Sequence, residues 1–239
     1  MLSSINFCED SGYDYVVTLP PVSTSTNKCL LIKIASDCTK LVTVRGSSLG
    51  GRPPQPDFES IDDYVDGHIM WARESALLYC DGIEWKKIAG YSRPMIAVKS
   101  LHSSQTFNKL TETTIALDIP MWVDYPDAMM PSGQSKIVIQ RMSNYKINYS
   151  IMYASNSGGG GEEARIALDG SVFTKSVLGA VANNQTITGS FTVLLTAEEI
   201  TLLGYYDGTN NLSPSVLGRH AFGDTIYVTY LSVEEIVGW

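Results

Sequence analysis

Hydrophobic and polar residues alternate with a period of two over much of this chain. The longest run lies in the second half. Tyr145, Ile147, Tyr149, Ile151 and Tyr153 fall on one side of an extended strand, and Lys146, Asn148, Ser150 and Met152 on the other. That period, carried by aromatic and β-branched residues, predicts a strand with one buried face. The run leads to Asn156-Ser157 and four consecutive glycines at 158–161, where left-handed backbone carries no steric cost. Ala164 to Leu168 then predicts a second strand, turned by Asp169-Gly170.

The same alternation predicts strands over 113–119, with Thr113, Ile115, Leu117 and Ile119 on one face, and over 186–195, with Ile187, Phe191, Val193 and Leu195 aligned. Lys136 to Gln140 is a short strand, while 124–135 and 205–219 carry the Pro, Gly, Asp and Asn of loops. The last strand, 225–233, is apolar on both sides: Ile226, Val228 and Tyr230 face one way, Tyr227, Leu231 and Val233 the other. Such a strand must be covered twice, and a second subunit is the simplest cover for the outer side. Tyr227, Thr229, Leu231 and Val233, with Ile115 and Leu117, are therefore the expected subunit-interface residues.

The first part of the chain reads as shorter strands: Tyr15 to Leu19, ended by Pro20-Pro21; Cys29 to Ile34; Leu41 to Val44; and Ala76 to Cys80, turned by Asp81-Gly82 into Trp85 to Ile88. Residues 46–57 are too rich in Gly and Pro for regular structure and predict a projecting loop. The expected organisation is all-β: a small antiparallel domain over 1–90, a linker over 91–104, and a β-sandwich over 105–239.

Composition narrows the function. A chain of 239 residues with 44% hydrophobic and 18% charged residues can bury a sizeable core. Its net charge of −8 and lack of a basic stripe argue against nucleic acid as a partner. No apolar run is long enough to cross a bilayer, and residues 1–10 lack the basic start and apolar run of a signal peptide. Neither membrane nor export is expected.

Chemistry is sparse. Cys8, Cys29, Cys38 and Cys80 form no Cys-x-x-Cys and have no histidine close in sequence, so they read as structural thiols. The acidic run of Asp57, Glu59, Asp62, Asp63 and Asp66, with His68 beyond, lacks the spacing of a hard-cation loop and reads as a solvated loop. His68, His102 and His220 accompany no metal-helix or nucleophile-elbow pattern. The expectation is a non-enzyme with no cofactor and no metal. Exposed aromatics can still stack on sugars or anchor an interface, and Trp122, Tyr125, Tyr205 and Tyr206 lie in or beside predicted loops.

Two resemblances follow. Residues 13–88, with YVVTLPPVSTSTNKCLLIKI, LVTVRG, SIDDYVDG and ALLYCDGIEWKKI in that order, resemble a small β module of bacteriophage fibre and virion-surface proteins. Ile61-Asp62 matches the start of that module's "I-D-G" turn, but Asp63 to Asp66 is inserted before Gly67, and the Pro-rich stretch is longer. Residues 105–239, opening with QTFNKL, closing with YVTYL and carrying YKINYSI and IALDGS between, resemble the tumour-necrosis-factor-like jelly roll of complement-type globular heads. The family's "L-x-x-G-D-x-I" step is distorted here at 195–200, with a second candidate at 222–226. The second resemblance implies a homotrimer whose first and last strands line the threefold axis. Together they imply a virion structural protein, assembled in the host cytoplasm. It would be a head-decoration or cement protein, or a short head fibre, held by the major capsid protein. The alternative is the tip of a tail fibre or spike that binds a host surface glycan or protein.

Overall fold

A computed structural model describes residues 2–7, 14–38, 40–50, 58–63, 67–106, 108–121, 129–154, 161–177, 185–207, 215–218 and 229–236. The chain divides into two compact units, 1–93 and 94–239.

The first unit holds β1 (Leu2–Phe7), β2 (Tyr15–Thr18), β3 (Cys29–Ile34), β4 (Val42–Arg45), β5 (His68–Met70), β6 (Ser75–Cys80) and β7 (Trp85–Tyr91), with one 3-10 turn at Val22–Thr24. These strands form a sheet in the order β1-β3-β6-β7 and a second in the order β2-β4-β5; the unit is mixed, not antiparallel as expected, because β1 runs parallel to β3 and β2 parallel to β4. β3 buries Leu30, Ile32 and Ile34, and β6 buries Ala76, Leu78 and Cys80, as alternation requires. Val17, Val42 and Val44 bury from the smaller sheet. Trp85, 1% exposed, sits deep in this core, and its indole N–H donates to Pro20 O at 3.1 Å. Beyond Trp85, β7 is an edge strand exposed on both faces. Cys29, Cys38 and Cys80 are free thiols, the last two buried; Cys8 lies outside the described residues.

Two carboxylates of the acidic run, those of Glu59 and Asp62, are wired into the fold. Both oxygens of Glu59 accept from Val22 N–H, at 3.1 and 3.0 Å, and one also accepts from Ser47 Oγ. Asp62 accepts from Lys87 N–H and stands 3.5 Å from His68 Nε2. Glu84 accepts from Asp63 N–H and Ser60 Oγ, and the Asp63 bond holds its carboxyl below the usual range. Asp57 and Asp66 lie outside the described residues.

The second unit holds β8 (Ile96–Leu101), β9 (Gln105–Thr106), β10 (Thr113–Thr114), β11 (Leu117–Pro120), β12 (Lys136–Val138), β13 (Ser143–Tyr153), β14 (Glu162–Leu168), β15 (Ser171–Val177), β16 (Gln185–Leu195), β17 (Glu199–Tyr206), β18 (Ser215–Val216) and β19 (Tyr230–Ile236). One sheet runs β11-β8-β19-β13, with β16 on the far side of β13 and the short β18 and β9 at one end. The other runs β10-β17-β14-β15, with β12 also paired to β17. The first long strand, β8, thus lies beside the last, β19, and consecutive long strands β13 and β14 belong to opposite sheets. This is a jelly roll. Its core joins Tyr145, Ile147, Ile151 and Tyr153 of β13 to Ala164, Ile166, Ile200 and Leu202 of the facing sheet.

Three expectations change in the second unit. Residues 96–101, placed in the linker from their serines and the preceding proline, form β8, which is hydrogen-bonded on both sides. The alternating run 113–119 is two strands in different sheets. The chain crosses at Ile115, whose carbonyl accepts from Leu117 N–H at 2.8 Å. Period-two spacing is blind to such a crossing, because Ile115 and Leu117 are fully buried on either side of it. The loop expected from Tyr205 begins two residues later, because Tyr205 and Tyr206 end β17.

Candidate functional site

The outer face of the β11-β8-β19-β13-β16 sheet is set by residues of the opposite parity to the core. Across it, register places Ser100, Tyr230, Ser150 and Thr188 in one row, and Val98, Ser232, Asn148 and Ser190 in the next. A third row is Ile96, Glu234, Lys146 and Thr192. Asn148, Thr188, Gly189, Ser190, Tyr230 and Ser232 line a shallow depression of about 510 Å³. Ser190 Oγ donates to Asn148 Oδ1 at 2.7 Å. Hydroxyls, one amide and one half-buried tyrosine make this floor neutral, while Lys146 and Glu234 face each other beside it. The signal for these residues was the polar half of each alternating strand, which also marks any solvated face. Sequence therefore could not single them out.

The outer face of the facing sheet carries charge. The Arg165 guanidinium lies 3.9 Å above the Tyr205 ring and pairs with Glu163 at 2.6 Å and with Glu112. Lys175 reaches Glu163 at 3.2 Å. Tyr205 is therefore half-buried under a cation already held by two carboxylates. Tyr206, its neighbour in an extended strand, points the other way and is fully buried. It offers no surface to a ligand. Trp122 and Tyr125 lie outside the described residues.

The residues expected at a subunit interface lie as follows. Ile115, Leu117, Thr229, Leu231 and Val233 are all fully buried within the chain itself. Thr229 Oγ1 donates to Leu217 O at 2.7 Å and accepts from Met152 N–H at 3.1 Å. The outward residues of β19 are Tyr230, Ser232, Glu234 and Ile236, so the outer face of this described part of the last strand is mixed, with Ser232 and Glu234 between Tyr230 and Ile236. Tyr227, with the rest of 221–228, lies outside the described residues.

Lys99 and Glu235 are among the buried ionisable groups that had no signal in the sequence. Lys99 projects inward from β8, and its Nζ donates to the carbonyls of Pro131, at 3.3 Å, and Gln134; burial lowers its pKa. Glu235, 5% exposed, accepts from Arg141 at 2.7 and 2.6 Å and from Met95 N–H at 3.0 Å. Among the described residues no three of His, Cys, Asp or Glu converge as a metal centre would require.

No protein-family model matches the chain, and no curated protein is similar to it in sequence. Several solved structures align with part of the chain. Murine APRIL at pH 5.0 is 8% identical, with a TM-score of 0.45, over 60% of this chain and all of that one. The Eiger TNF of S. frugiperda is 9% identical, with a TM-score of 0.39, over 61% of this chain and 94% of that one. Pika GITRL is 11% identical, with a TM-score of 0.36, over 60% and 96%. The all-β class expected from sequence, with a jelly roll over the second unit, is what the strand pairing shows.

Proposed function

We propose that this protein is a non-enzymatic structural protein of a bacteriophage particle, a homotrimer standing on the head as a decoration, cement or short head-fibre protein. The observation that supports it most is the outer face of the β8-β19-β13-β16 sheet. Its centre is neutral, built from Ser, Thr and Asn around Tyr230. Ile96 and Val98 are half-buried on it, and Leu194 and Ile236 are 58% and 42% exposed. A flat face with few charges and a matched Lys146–Glu234 pair is easily covered by a second copy, since little has to be desolvated unpaired. The location is supported by the resemblance of residues 13–88 to a phage virion module, and that unit would be the one held by the shell.

Quantitative mass spectrometry of purified particles tests the placement. A copy number comparable with the major shell protein is the expected result. A copy number in single digits or low tens moves the chain to a fibre or spike that binds the host, and absence from the particle overturns the proposal. Light scattering at micromolar concentration tests the assembly: a mass of three chains is expected, and a monomer refutes it.

A further inference from the structure

Two strands of the first unit are apolar on both faces. The even-numbered residues of β3 and β6 fill the core, but Leu31 and Leu77, register partners on the other face, are apolar too, and both are half-buried. Tyr79 lies in the next row, opposite Cys29, and is half-buried as well. β7 carries this face to the edge of the sheet. Ala89 stands opposite Leu77 and Tyr91 opposite Ser75, while Ile88 is the extra residue where the register slips between Lys87 and Ala89. Ile88 and Tyr91 are 55% and 54% exposed. Single exposed apolar side chains are ordinary, but a row that crosses three neighbouring strands marks a surface to be covered.

Charge on this face has one sign. Its outward residues include Lys33, opposite Ser75, and Lys86, opposite Tyr79, and no Asp or Glu. Asp81 and Glu84, in the hairpin turn, reach Lys86 at 3.5 and 3.3 Å. At the other end Lys33 and Lys87 flank Tyr91. Asp62 accepts from the main-chain N–H of Lys87, but the Lys87 ammonium donates to Ser92 Oγ at 2.9 Å. Among the described residues neither of these two ammonium groups has a carboxylate partner, in a chain whose net charge is −8.

We propose that this face of β3, β6 and β7 is the docking surface for the shell protein of the particle, and that the shell presents an apolar patch with carboxylates placed for Lys33 and Lys87. The proposal rests on the reading above that the first unit is the one held by the shell. Leu31, Leu77 and Ile88 supply the area that loses water, and the lysines fix orientation. A membrane fits less well, because the two leucines are half-buried in the sheet and do not project past lipid headgroups.

Cosedimentation of the full-length protein with shells assembled without it tests the face. Wild type is expected to pellet with the shells. Leu77→Asp, at the centre of the face, should abolish pelleting, and Lys33→Glu/Lys87→Glu should weaken it by about tenfold or more. Leu77 points away from the core, so a melting curve like that of wild type is expected for Leu77→Asp. Wild type absent from the pellet overturns this proposal together with the placement on the shell. Wild type pelleting while a folded Leu77→Asp pellets equally overturns this proposal alone. Should Leu77→Asp fail to fold, Lys33→Glu/Lys87→Glu decides, and unchanged affinity there overturns it. Flotation of wild type with vesicles of about 30% phosphatidylserine, lost in Leu77→Asp, would make the face a membrane surface and overturn it too.

Discussion

Tyr149 lies across Gly189. The two residues are register partners on β13 and β16, and a Cβ built on Gly189 would stand 2.5 Å from Tyr149 Cε1. The ring occupies the space that any larger residue would need, and so crosses toward the facing sheet, where its hydroxyl meets Ser176 Oγ of β15 at 2.8 Å. One glycine therefore lets one tyrosine connect three strands. Gly189→Ala is expected to destabilise the second unit by about 1–3 kcal/mol, the usual cost of overpacking. Tyr149→Phe should cost about 1 kcal/mol, for the lost hydrogen bond alone. In the double variant Gly189→Ala/Tyr149→Ala the clash is gone, so adding Gly189→Ala to Tyr149→Ala should cost almost nothing. Urea denaturation of the four proteins measures this coupling, and additive losses would disprove it.

Arg141 and Glu235 form a second coupled pair. Both side chains are nearly buried, 12% and 4% exposed, and their two-pronged contact holds the end of β19, while Glu235 also accepts from Met95 N–H ahead of β8. Glu235→Ala takes from the buried Arg141 guanidinium its two-pronged carboxylate contact and from Met95 N–H its carboxylate acceptor, and should cost about 3–5 kcal/mol. Arg141→Met/Glu235→Leu should recover most of that loss, since neither charge is then stranded. Thermal melts of the single and double variants check it; a double variant no better than Glu235→Ala would show that the loss comes from packing.

How far the sequence revealed this arrangement depended on periodicity. Tyr145 to Tyr153 announced both their strand and their buried face, and Cys29–Ile34 was bounded to the residue. β8 was hidden because its run, IAVKSL, places Lys99 on the core side. Only the two carbonyls of a loop more than 30 residues away make that burial tolerable. Glu162 and Glu235 were hidden in the same way: glutamate reads as surface, and what makes each one buried is a contact, or the lack of one, across the fold. The Tyr205–Tyr206 pair looked alike in sequence, and strand parity alone separates the cation-covered ring from the core one.

Glu59 does for the first unit what a cap does for a helix. Its carboxylate accepts from Val22 N–H with both oxygens and from Ser47 Oγ, bridging segments 37 residues apart. Glu59→Gln keeps the shape and an acceptor oxygen but loses the charge, and should cost about 1 kcal/mol. Glu59→Ala removes every acceptor and should cost about 1–3 kcal/mol. Hydrogen exchange at the Val22 amide is the direct readout: it should accelerate in Glu59→Ala, and an unchanged rate would show that another group protects this amide.

Glu162 should leave a mark on stability against pH. Its folded pKa is raised above the ordinary value of 4.5, first by burial and then by Asp207. The folded state therefore holds the proton more tightly than the unfolded one. The stabilisation is fully present below pH 4.5 and is lost as pH rises through the folded pKa. Between wild type and Glu162→Gln, the difference should favour wild type increasingly as pH falls toward 4.5. A difference curve flat from pH 4.5 to neutrality would show that Glu162 is solvated.

Lys99 makes the opposite prediction at high pH. Burial on the core side of β8 lowers its pKa from 10.5, and its acceptors are two neutral carbonyls, those of Pro131 and Gln134. The unfolded chain binds the proton more tightly between the lowered pKa and 10.5, so stability should rise with pH across that window. Lys99→Met fills a similar volume without a titrating group, and the two carbonyls it frees belong to a half-buried proline and an exposed glutamine, within reach of water. The variant should lack the rise that wild type shows on approaching pH 10.5. Denaturant unfolding of both proteins from pH 8 to 10.5 measures the difference. Parallel curves would mean that Lys99 titrates as a solvated lysine and that its contacts to the 131–134 turn carry no burial cost.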